Sequence, residues 1–240
     1  MSFLQLIDDS ENSILNAKQI VDWKKNNNSY NFTNLPKTVI LINSINYISR
    51  INKLFTKKIK GLSATIYKLN TDFLLCTKFG NGSPSVIAIM EELQQLGVEK
   101  FIFIGFAGRI TENLKEGTVN IINKAFSLVG TSYHYYNEQE INITNKLIDK
   151  YIKLFNLKTN TILSTDAPYR ELPSQLLYFS DKGVALIDME IASILAFSKS
   201  KKIDCVCFSI AADSLTDNTW QAPNINFNKI INKIIKTIIA

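Results

Sequence analysis

Short apolar runs alternate with amphipathic segments along most of the chain. Between Gly183 and Leu215, an apolar run at 184–187 is followed by a helix-like pattern and then by a second apolar run at 205–212. This order predicts a βαβ unit, whose two strands are normally parallel and whose connection is right-handed. The same reasoning predicts further strands at residues 38–42, 59–69, 73–79, 101–105, 119–122 and 161–165, and helices at 14–25, 45–54, 84–96, 143–155 and 228–239. These elements predict an α/β fold.

Two acidic residues follow the strands of this predicted unit. Glu190 opens the helical segment, and Asp213 comes directly after the second apolar run. The carboxyl ends of parallel strands form the edge at which open α/β sheets bind ligands, so both carboxylates are candidates for holding sugar hydroxyls or moving a proton. A structural alternative stays open, because Glu at a helix start interacts favourably with the helix dipole and Asp after a strand is often a helix cap.

Two glycine-bearing segments follow predicted strands. In the loop at 80–85, Ser83 is a good N-cap and Pro84 suits the first helical position, which brings backbone N–H groups to the rim of the sheet. The loop matches neither a GxGxxG nor a Walker A pattern, and a tight turn between strand and helix explains it equally well. Residues 106–109 predict a second glycine-bearing turn, at the carboxyl end of the strand at 101–105.

Two polar segments that contain aromatic residues offer further candidates. Arg170 and Glu171 follow Tyr169, and such a group can recognise a planar polar ligand by stacking and paired hydrogen bonds. A structural ion pair is the alternative. His134 is the only histidine and lies among tyrosines, where it either titrates near neutral pH or serves as a hydrogen-bonded packing group.

Composition and charge restrict the class of protein. The chain has 240 residues, of which 46% are hydrophobic and 20% charged, as in an ordinary globular protein. We expect one domain over residues 1–240, with 1–34 as an N-terminal lead-in. The first residues lack a basic start followed by an apolar stretch, and no apolar run is long enough to cross a membrane, so we expect a cytoplasmic protein.

Charge and cysteine usage argue against two kinds of site. The net charge of +6 comes from lysines scattered along the chain rather than from a basic stripe, which gives little support for nucleic-acid binding. Cys76, Cys205 and Cys207 lie in apolar runs, as buried small side chains do, and their spacing fits neither a zinc site nor a disulfide framework.

Seven segments resemble the purine and uridine nucleoside phosphorylase superfamily, and in particular its uridine-phosphorylase-like branch. The resemblance covers roughly residues 38–220, most of the chain, and the segments are specific as an ordered set, although no single segment is. The segments are GNGSPS (80–85), IGFAGRI (104–110), EGTVNI (116–121), GTSYHYY (130–136), STDAPYRE (164–171), GVALIDMEIAS (183–193) and AADSLTDNTW (211–220).

The resemblance implies a three-layer α/β/α sandwich with a mixed central sheet, assembled as a homodimer or a trimer of dimers. It also implies cleavage of an N-glycosidic bond through an oxocarbenium-like state. Glu190 would accept hydrogen bonds from the ribose hydroxyls and Met189 would pack under the sugar, while Asp213 would protonate the base or hydrogen-bond to it. The other substrate-binding positions implied by the resemblance are Gly105, Phe106, Arg109, His134, Tyr169, Arg170 and Glu171.

The departures from the family pattern concentrate in the phosphate site. That site uses arginines and a Gly-Thr turn, because a dianion needs several fixed donors and compensating charge. Here Phe106 stands in place of the Thr, and Phe103 stands where related phosphorylases carry Arg. The first strand ends in Asn43-Ser44 rather than Gly-Asp-Pro, and Ser127-Leu128-Val129 replaces a common Arg-Asp-Glu. We therefore expect the phosphate half of the site to be apolar.

Three hypotheses of function follow. The first is an enzyme that cleaves a nucleoside with water as the acceptor, which the retained Glu190 and Asp213 and the lost phosphate donors favour. The second is a phosphorylase in which Arg109, Arg170 or a partner subunit supplies the missing charge. The third is a scaffold that binds a different small molecule, since a fold does not fix a function. None of the three implies a metal or an organic cofactor.

Overall fold

The computed structural model describes residues 13–43 and 57–240. Helices and strands alternate along much of this length, as the sequence predicts. The helices are α1 (Ala17–Asn26), α2 (Ser83–Gln95), α3 (Gly130–Tyr133), α4 (Lys146–Phe155), α5 (Pro173–Ser180), α6 (Ile191–Lys201) and α7 (Asn228–Ile239). The strands are β1 (Thr38–Leu41), β2 (Lys57–Ile59), β3 (Thr65–Lys68), β4 (Phe73–Thr77), β5 (Lys100–Arg109), β6 (Val119–Leu128), β7 (Glu140–Asn142), β8 (Thr159–Thr165), β9 (Val184–Asp188) and β10 (Asp204–Ser214).

The central sheet is partly closed into a barrel. Five strands form a ring in the order β5, β10, β6, β8 and β9, and β9 pairs back with β5. β1, β4, β3 and β2 continue from β5 as an open sheet, and β7 pairs with β6. Both kinds of pairing occur, since β10 is parallel to β5 and antiparallel to β6. The sheet is therefore mixed, as predicted.

Helices flank this sheet in the predicted three-layer α/β/α arrangement. α2, α3 and α6 pack on one another, with α1 against α2, and α6 also contacts β6, β8 and β10. α4 packs against β6 and β10. The amphipathic α7 buries the four residues of one helical face, Ile231, Ile234, Ile235 and Ile238. Within residues 13–43 and 57–240, no helix is long and apolar enough to cross a membrane.

The predicted turn at residues 106–109 is wrong. β5 continues through Arg109, because Phe106 pairs with Ile210 of β10 and Gly108 pairs with Ile187 of β9. Glycines in a segment can mark a turn, but Gly108 instead marks a place where side chains from other parts of the protein approach the backbone closely. A Cβ atom there would lie 2.8 Å from the Leu215 side chain.

The predicted parallel βαβ unit is also wrong. β9 is antiparallel to β5, whereas β10 is parallel to it, so the two strands on either side of α6 run in opposite directions. The carboxyl ends still converge, since β9 meets β5 at Ile187 and Gly108 and β10 meets it at Ser214 and Arg109. The apolar pattern predicts the three elements but not the neighbour that each strand finds across the ring.

Smaller differences concern element limits. The strand predicted at 59–69 is two strands, β2 and β3, with Gly61 at a φ of +99° between them. The N-cap of α2 is Gly82 rather than Ser83, and α4 begins only after Asn145, whose side chain accepts from the Ile148 N–H. The sequence analysis did not predict α5, and the helix predicted at 45–54 lies outside the described residues.

Candidate active site

A cleft of about 440 Å³ opens where the carboxyl ends of β1, β5, β9 and β10 meet. Six of the residues that the sequence analysis assigned to a site line this cleft: Gly105, Phe106, Glu171, Met189, Glu190 and Asp213. The complete lining consists of residues 42–43, 79, 81, 103–108, 168, 171, 187–190, 213 and 215. The topology thus brings most of the predicted site into one place.

Glu190 is held by the glycine-bearing loop that precedes α2. The Gly82 N–H donates to Glu190 Oε1 at 2.6 Å, and the Ser83 hydroxyl donates to the Met189 carbonyl at 2.8 Å. Gly82 has a φ of +85°, a conformation that favours glycine. Burial raises the pKa of Glu190, and hydrogen bonds from the Gly82 and Met189 N–H groups oppose this rise. The loop therefore fixes Oε1 of this carboxylate at the edge of the cleft.

Asp188 is a second acidic residue beside Glu190 in the cleft, and sequence reasoning missed it. Its side chain is buried and accepts from the Ser164 hydroxyl and from the Ile191 N–H at 2.9 Å, while the Ala192 N–H donates to Ser164 Oγ at 2.9 Å. Burial and the nearby charge of Glu190 raise the pKa of Asp188. Asp188 thus fixes the first turn of α6. Asp188 could have been identified from the sequence, because Asp-Met-Glu spans the end of a strand and carries two acidic residues.

The Asp213 end of the cleft carries a second pair of carboxyl groups, Asp213 and Glu171. Asp213 Oδ2 accepts from the Trp220 indole N–H at 2.8 Å, which holds this carboxylate in one position. Glu171 follows the 3-10 helix Pro168–Arg170 and is half-buried. Burial and the charge of Asp213 raise the pKa of Glu171 to about 7. This end therefore presents an anchored acceptor and a neighbouring carboxyl group that holds a proton more readily than usual.

Between these ends, the wall formed by β5 is apolar. Phe103 is buried, and its ring lies over Gly105, where a Cβ atom would come within 2.5 Å of the ring. Phe106 makes an edge contact with Phe227 of the segment before α7, with ring centroids 5.0 Å apart. Ile42 and Phe79 add further apolar lining. In the described part of the chain, no Lys or Arg side chain lines the cleft.

Two asparagines at the edge of this wall contact each other. The Asn43 side chain hydrogen-bonds to that of Asn81, and its Oδ1 accepts from the Gly80 N–H at 3.2 Å. The Lys78 N–H donates to the Asn43 carbonyl at 3.1 Å. Asn43 therefore links the end of β1 to the glycine-bearing loop that holds Glu190.

Four residues that the resemblance assigned to substrate binding do not line the cleft. Tyr169 is 99% exposed and Arg170 is also exposed. Arg109 is directed at backbone carbonyl groups, with Nη1 donating to Leu114 O at 3.1 Å and Nε to Asp213 O at 3.4 Å. His134 is exposed at the C-cap of α3. Their roles in binding stay predictions.

Metal ligation has no support in the described residues. Over 13–43 and 57–240, no group of three or more His, Cys, Asp or Glu side chains is placed to hold a metal ion. The three cysteines are buried and unbonded to one another, as the sequence predicted, and burial raises the pKa of the Cys205 thiol to about 12. Among the described residues, the titratable side chains that line the cleft are the carboxyl groups of Glu171, Asp188, Glu190 and Asp213.

Comparisons with known proteins agree with this geometry. A sequence model of the phosphorylase superfamily matches residues 39–240. A guanosine phosphorylase of Halorubrum lacusprofundi is 27% identical over 139 residues, which is 55% of this chain and 56% of that protein. A uridine phosphorylase of Haemophilus influenzae is 32% identical over 84 residues, 35% of this chain and 33% of that protein.

A further relative is an uncharacterised protein of Acanthamoeba polyphaga mimivirus, 27% identical over 145 residues. That match covers 60% of this chain and 58% of the viral protein, so the chain spans less than two thirds of the curated relatives it matches. The family match, in contrast, includes β1 and every later element of the sheet and the whole cleft. On this match and on the mixed sheet described above, the chain belongs to the phosphorylase superfamily.

Proposed function

We propose that this protein cleaves the N-glycosidic bond of a nucleoside, with water rather than phosphate as the acceptor. Membership of the phosphorylase superfamily supports the processing of nucleosides. The choice of acceptor rests on one observation. The cleft keeps carboxyl groups at both ends, while the wall between them carries Phe103 and Phe106 and no basic side chain of the described residues.

Glu190 would bind the sugar. Its Oε2 accepts hydrogen bonds from ribose hydroxyls, and Met189 supplies an apolar surface beside the sugar ring. Positive charge develops on the ring as the bond to the base breaks, and a fixed carboxylate nearby stabilises that charge more than it stabilises the neutral substrate. The hydrogen bond from Gly82 keeps the carboxylate in place before the reaction, so little reorganisation is needed.

Asp213 and Glu171 would face the base. An anchored carboxylate accepts hydrogen bonds from N–H groups of a heterocycle, and a protonated carboxyl group can donate to a ring nitrogen or carbonyl. Cleavage leaves an electron pair on the base nitrogen, so a proton delivered at this end makes the base a better leaving group.

The apolar wall argues against phosphate as the acceptor. A dianion that loses its water shell must be compensated by several donors and by positive charge. Phe103 and Phe106 offer neither, whereas a neutral water molecule fits beside an apolar wall at a much smaller desolvation cost. Arg109 is held by backbone carbonyl groups, and Arg170 is exposed.

The test is to incubate the purified protein with a panel of purine and pyrimidine nucleosides, with and without phosphate, and to measure the released base. We expect the rate of base release to change by less than about twofold when phosphate is added. A cleft without a phosphate site leaves the activation barrier for hydrolysis unchanged by phosphate. Release that requires phosphate contradicts the choice of water. An absence of release from every nucleoside contradicts the proposed activity.

A phosphate-dependent activity is the second candidate, because the named relatives are phosphorylases. It requires positive charge from outside the cleft lining described above, either from relocated arginines such as Arg109 and Arg170 or from a partner subunit. Assembly as a homodimer or a trimer of dimers, with a cytoplasmic location and a nucleoside-like ligand, belongs to both candidates. A repurposed scaffold that binds another small molecule is the third, and it predicts ligand binding without release of base.

A further inference from the structure

The two carboxyl groups at the base end of the cleft differ in what surrounds them. Asp213 lies near the end of β10, and its Oδ2 accepts from the Trp220 indole N–H at 2.8 Å. An indole N–H is a donor only, so this oxygen can act only as an acceptor. The other oxygen, Oδ1, lies over Gly108, within 3.5 Å of the place where a Cβ atom would stand. Asp213 Oδ2 is therefore held as a hydrogen-bond acceptor.

The surroundings of Glu171 instead favour a protonated carboxyl group. It lies between the 3-10 helix Pro168–Arg170 and α5, lines the same cleft and is half-buried. Two causes raise the pKa of Glu171 to about 7. Burial is the larger cause, and the charge of Asp213 is the smaller one. Both causes favour the neutral carboxyl group, which can donate a proton.

The charges around Glu171 do not offset this preference. Asp213 of β10 opposes its ionisation, and the other acidic residues that line the cleft, Asp188 and Glu190, come from the turn between β9 and α6. Arg109 on β5 donates to the carbonyl groups of Asp213 and Leu114 rather than to Glu171. Arg170, the neighbour in sequence, is exposed.

We infer that Glu171, rather than Asp213, is the general acid of this site, and that Asp213 is its partner that accepts a hydrogen bond from the base. The inference rests on the proposed function. The C1′–N bond of the nucleoside breaks, and its electron pair passes to the base nitrogen. The Glu171 O–H proton moves to the base, which leaves as a neutral molecule. Water adds to C1′ and loses a proton, and Glu171 regains a proton from solvent before the next turnover.

The experiment compares Glu171→Gln and Asp213→Asn on two substrates, a natural nucleoside and 4-nitrophenyl β-D-ribofuranoside. The nitrophenolate leaves without protonation, so loss of the acid is expected to matter only for the nucleoside. For Glu171→Gln we expect kcat/KM to fall by at least about 10²-fold on the nucleoside and by less than about fivefold on the nitrophenyl riboside. Glu112→Gln, at an exposed carboxyl outside the cleft, is the matched control.

The pH dependence separates the two acids. In the wild-type enzyme kcat/KM for the nucleoside should fall as pH rises through about 7, where Glu171 loses its proton. Asp213→Asn removes a negative charge beside Glu171, so it should move this fall to lower pH while activity persists on the acidic side. In Glu171→Gln the fall should disappear from the residual activity.

The outcomes are distinguishable. If Asp213→Asn abolishes nucleoside cleavage at every pH while Glu171→Gln stays within about threefold of the wild type, the assignment of Glu171 is wrong and Asp213 is the acid. An equal loss on both substrates for Glu171→Gln also contradicts the assignment, since it indicates a role in binding or folding. If the wild type cleaves neither substrate, the proposed function itself is wrong, and the assignment falls with it.

Discussion

The two halves of the cleft use the same scaffold in different ways. In one half, four carboxyl groups line the cleft, and at least three of them accept hydrogen bonds from backbone N–H groups or from a neighbouring side chain. Along β5, the wall is formed by aromatic rings that pack on glycine and on one another. One half is built to hold polar groups in fixed positions, and the other to exclude charge.

The difference shows which part of a site can change while the fold stays the same. Glu190 depends on the Gly82 loop and on the first turn of α6, so its position is tied to two helices. Phe103 and Phe106 lie on a strand whose backbone is fixed by β9, β10 and β1, so their side chains can differ without altering the sheet. Under the proposed function, the polar half would determine the chemistry and the apolar half would determine the acceptor.

The largest effect is expected in the polar half. Glu190→Gln keeps the size of the side chain but removes the charge that stabilises the oxocarbenium-like state, and we expect kcat/KM for nucleoside cleavage to fall by about 10²-fold or more. Steady-state release of base measures the change, and circular dichroism checks the fold. Glu138→Gln, at an exposed carboxyl, is the control. A loss of less than about threefold would break the distinction between the two halves.

In the apolar half, the largest effect should be on stability. Phe103 is 4% exposed, and we expect Phe103→Ala to reduce the free energy of unfolding by about 3–5 kcal/mol, because it removes a buried ring and leaves a cavity over Gly105. Urea unfolding followed by fluorescence measures this change. Phe103→Leu retains most of the volume and should cost about 1–2 kcal/mol. Equal stability of wild type and Phe103→Ala would show that the ring is not part of the core.

A smaller effect is expected on the pH dependence of stability, through Glu171. The pKa of Glu171 rises from an ordinary value of 4.5 to about 7, so between these values the folded protein holds a proton that the unfolded chain has lost. Stability from this group is therefore fully present below about pH 4.5 and declines as pH rises through about 7. Glu171→Gln should be more stable than the wild type by about 1 kcal/mol at pH 8, after allowance for the solvent that reaches this half-buried group.

Unfolding in urea at two pH values tests this third prediction. Near pH 4.5, where Glu171 is protonated in the native protein, Glu171→Gln and the wild type should be equally stable. Asp213→Asn should reduce the pH dependence, since it removes one cause of the raised pKa. A wild-type stability that rises between pH 5 and 8 relative to Glu171→Gln would contradict the sign.

The smallest effect is expected outside the cleft. His134 is exposed at the end of α3 and does not line the cleft, so His134→Gln should change kcat/KM by less than about twofold. Release of base measures it, and Glu190→Gln serves as the contrasting variant. A large loss in His134→Gln would place an essential group outside the described cleft, as expected if subunits share their sites.

Much of the fold follows from local patterns in the sequence. The apolar runs predict β1, β9 and the core of β10, because a buried strand has to be apolar on both faces. Direction and length depend on neighbours that are far away in sequence. β5 runs through Arg109 because β9 and β10 pair with it, and β9 is parallel to β8 but antiparallel to β5. Neither the length of β5 nor the direction of β9 can be predicted from a local sequence pattern.

The site was predictable in part for similar reasons. Glu190 and Asp213 stand at strand ends, which is a local signal, and the resemblance supplied Glu171 and the apolar character of Phe103 and Phe106. Asp188 was missed, since its role depends on Ser164 of a different strand. The orientation of Arg109 was not predictable either, because it depends on a carbonyl group five residues away and on another of β10.

The identity of the sugar product tests the central claim most directly. The wild-type protein would be incubated with a nucleoside that it cleaves, in the presence of saturating phosphate, and the products would be followed by phosphorus NMR and by chromatography of the sugar. The account predicts free pentose in amounts equal to the released base and no sugar phosphate. Formation of a pentose 1-phosphate would contradict it, and would show that positive charge reaches the apolar wall from outside the cleft lining.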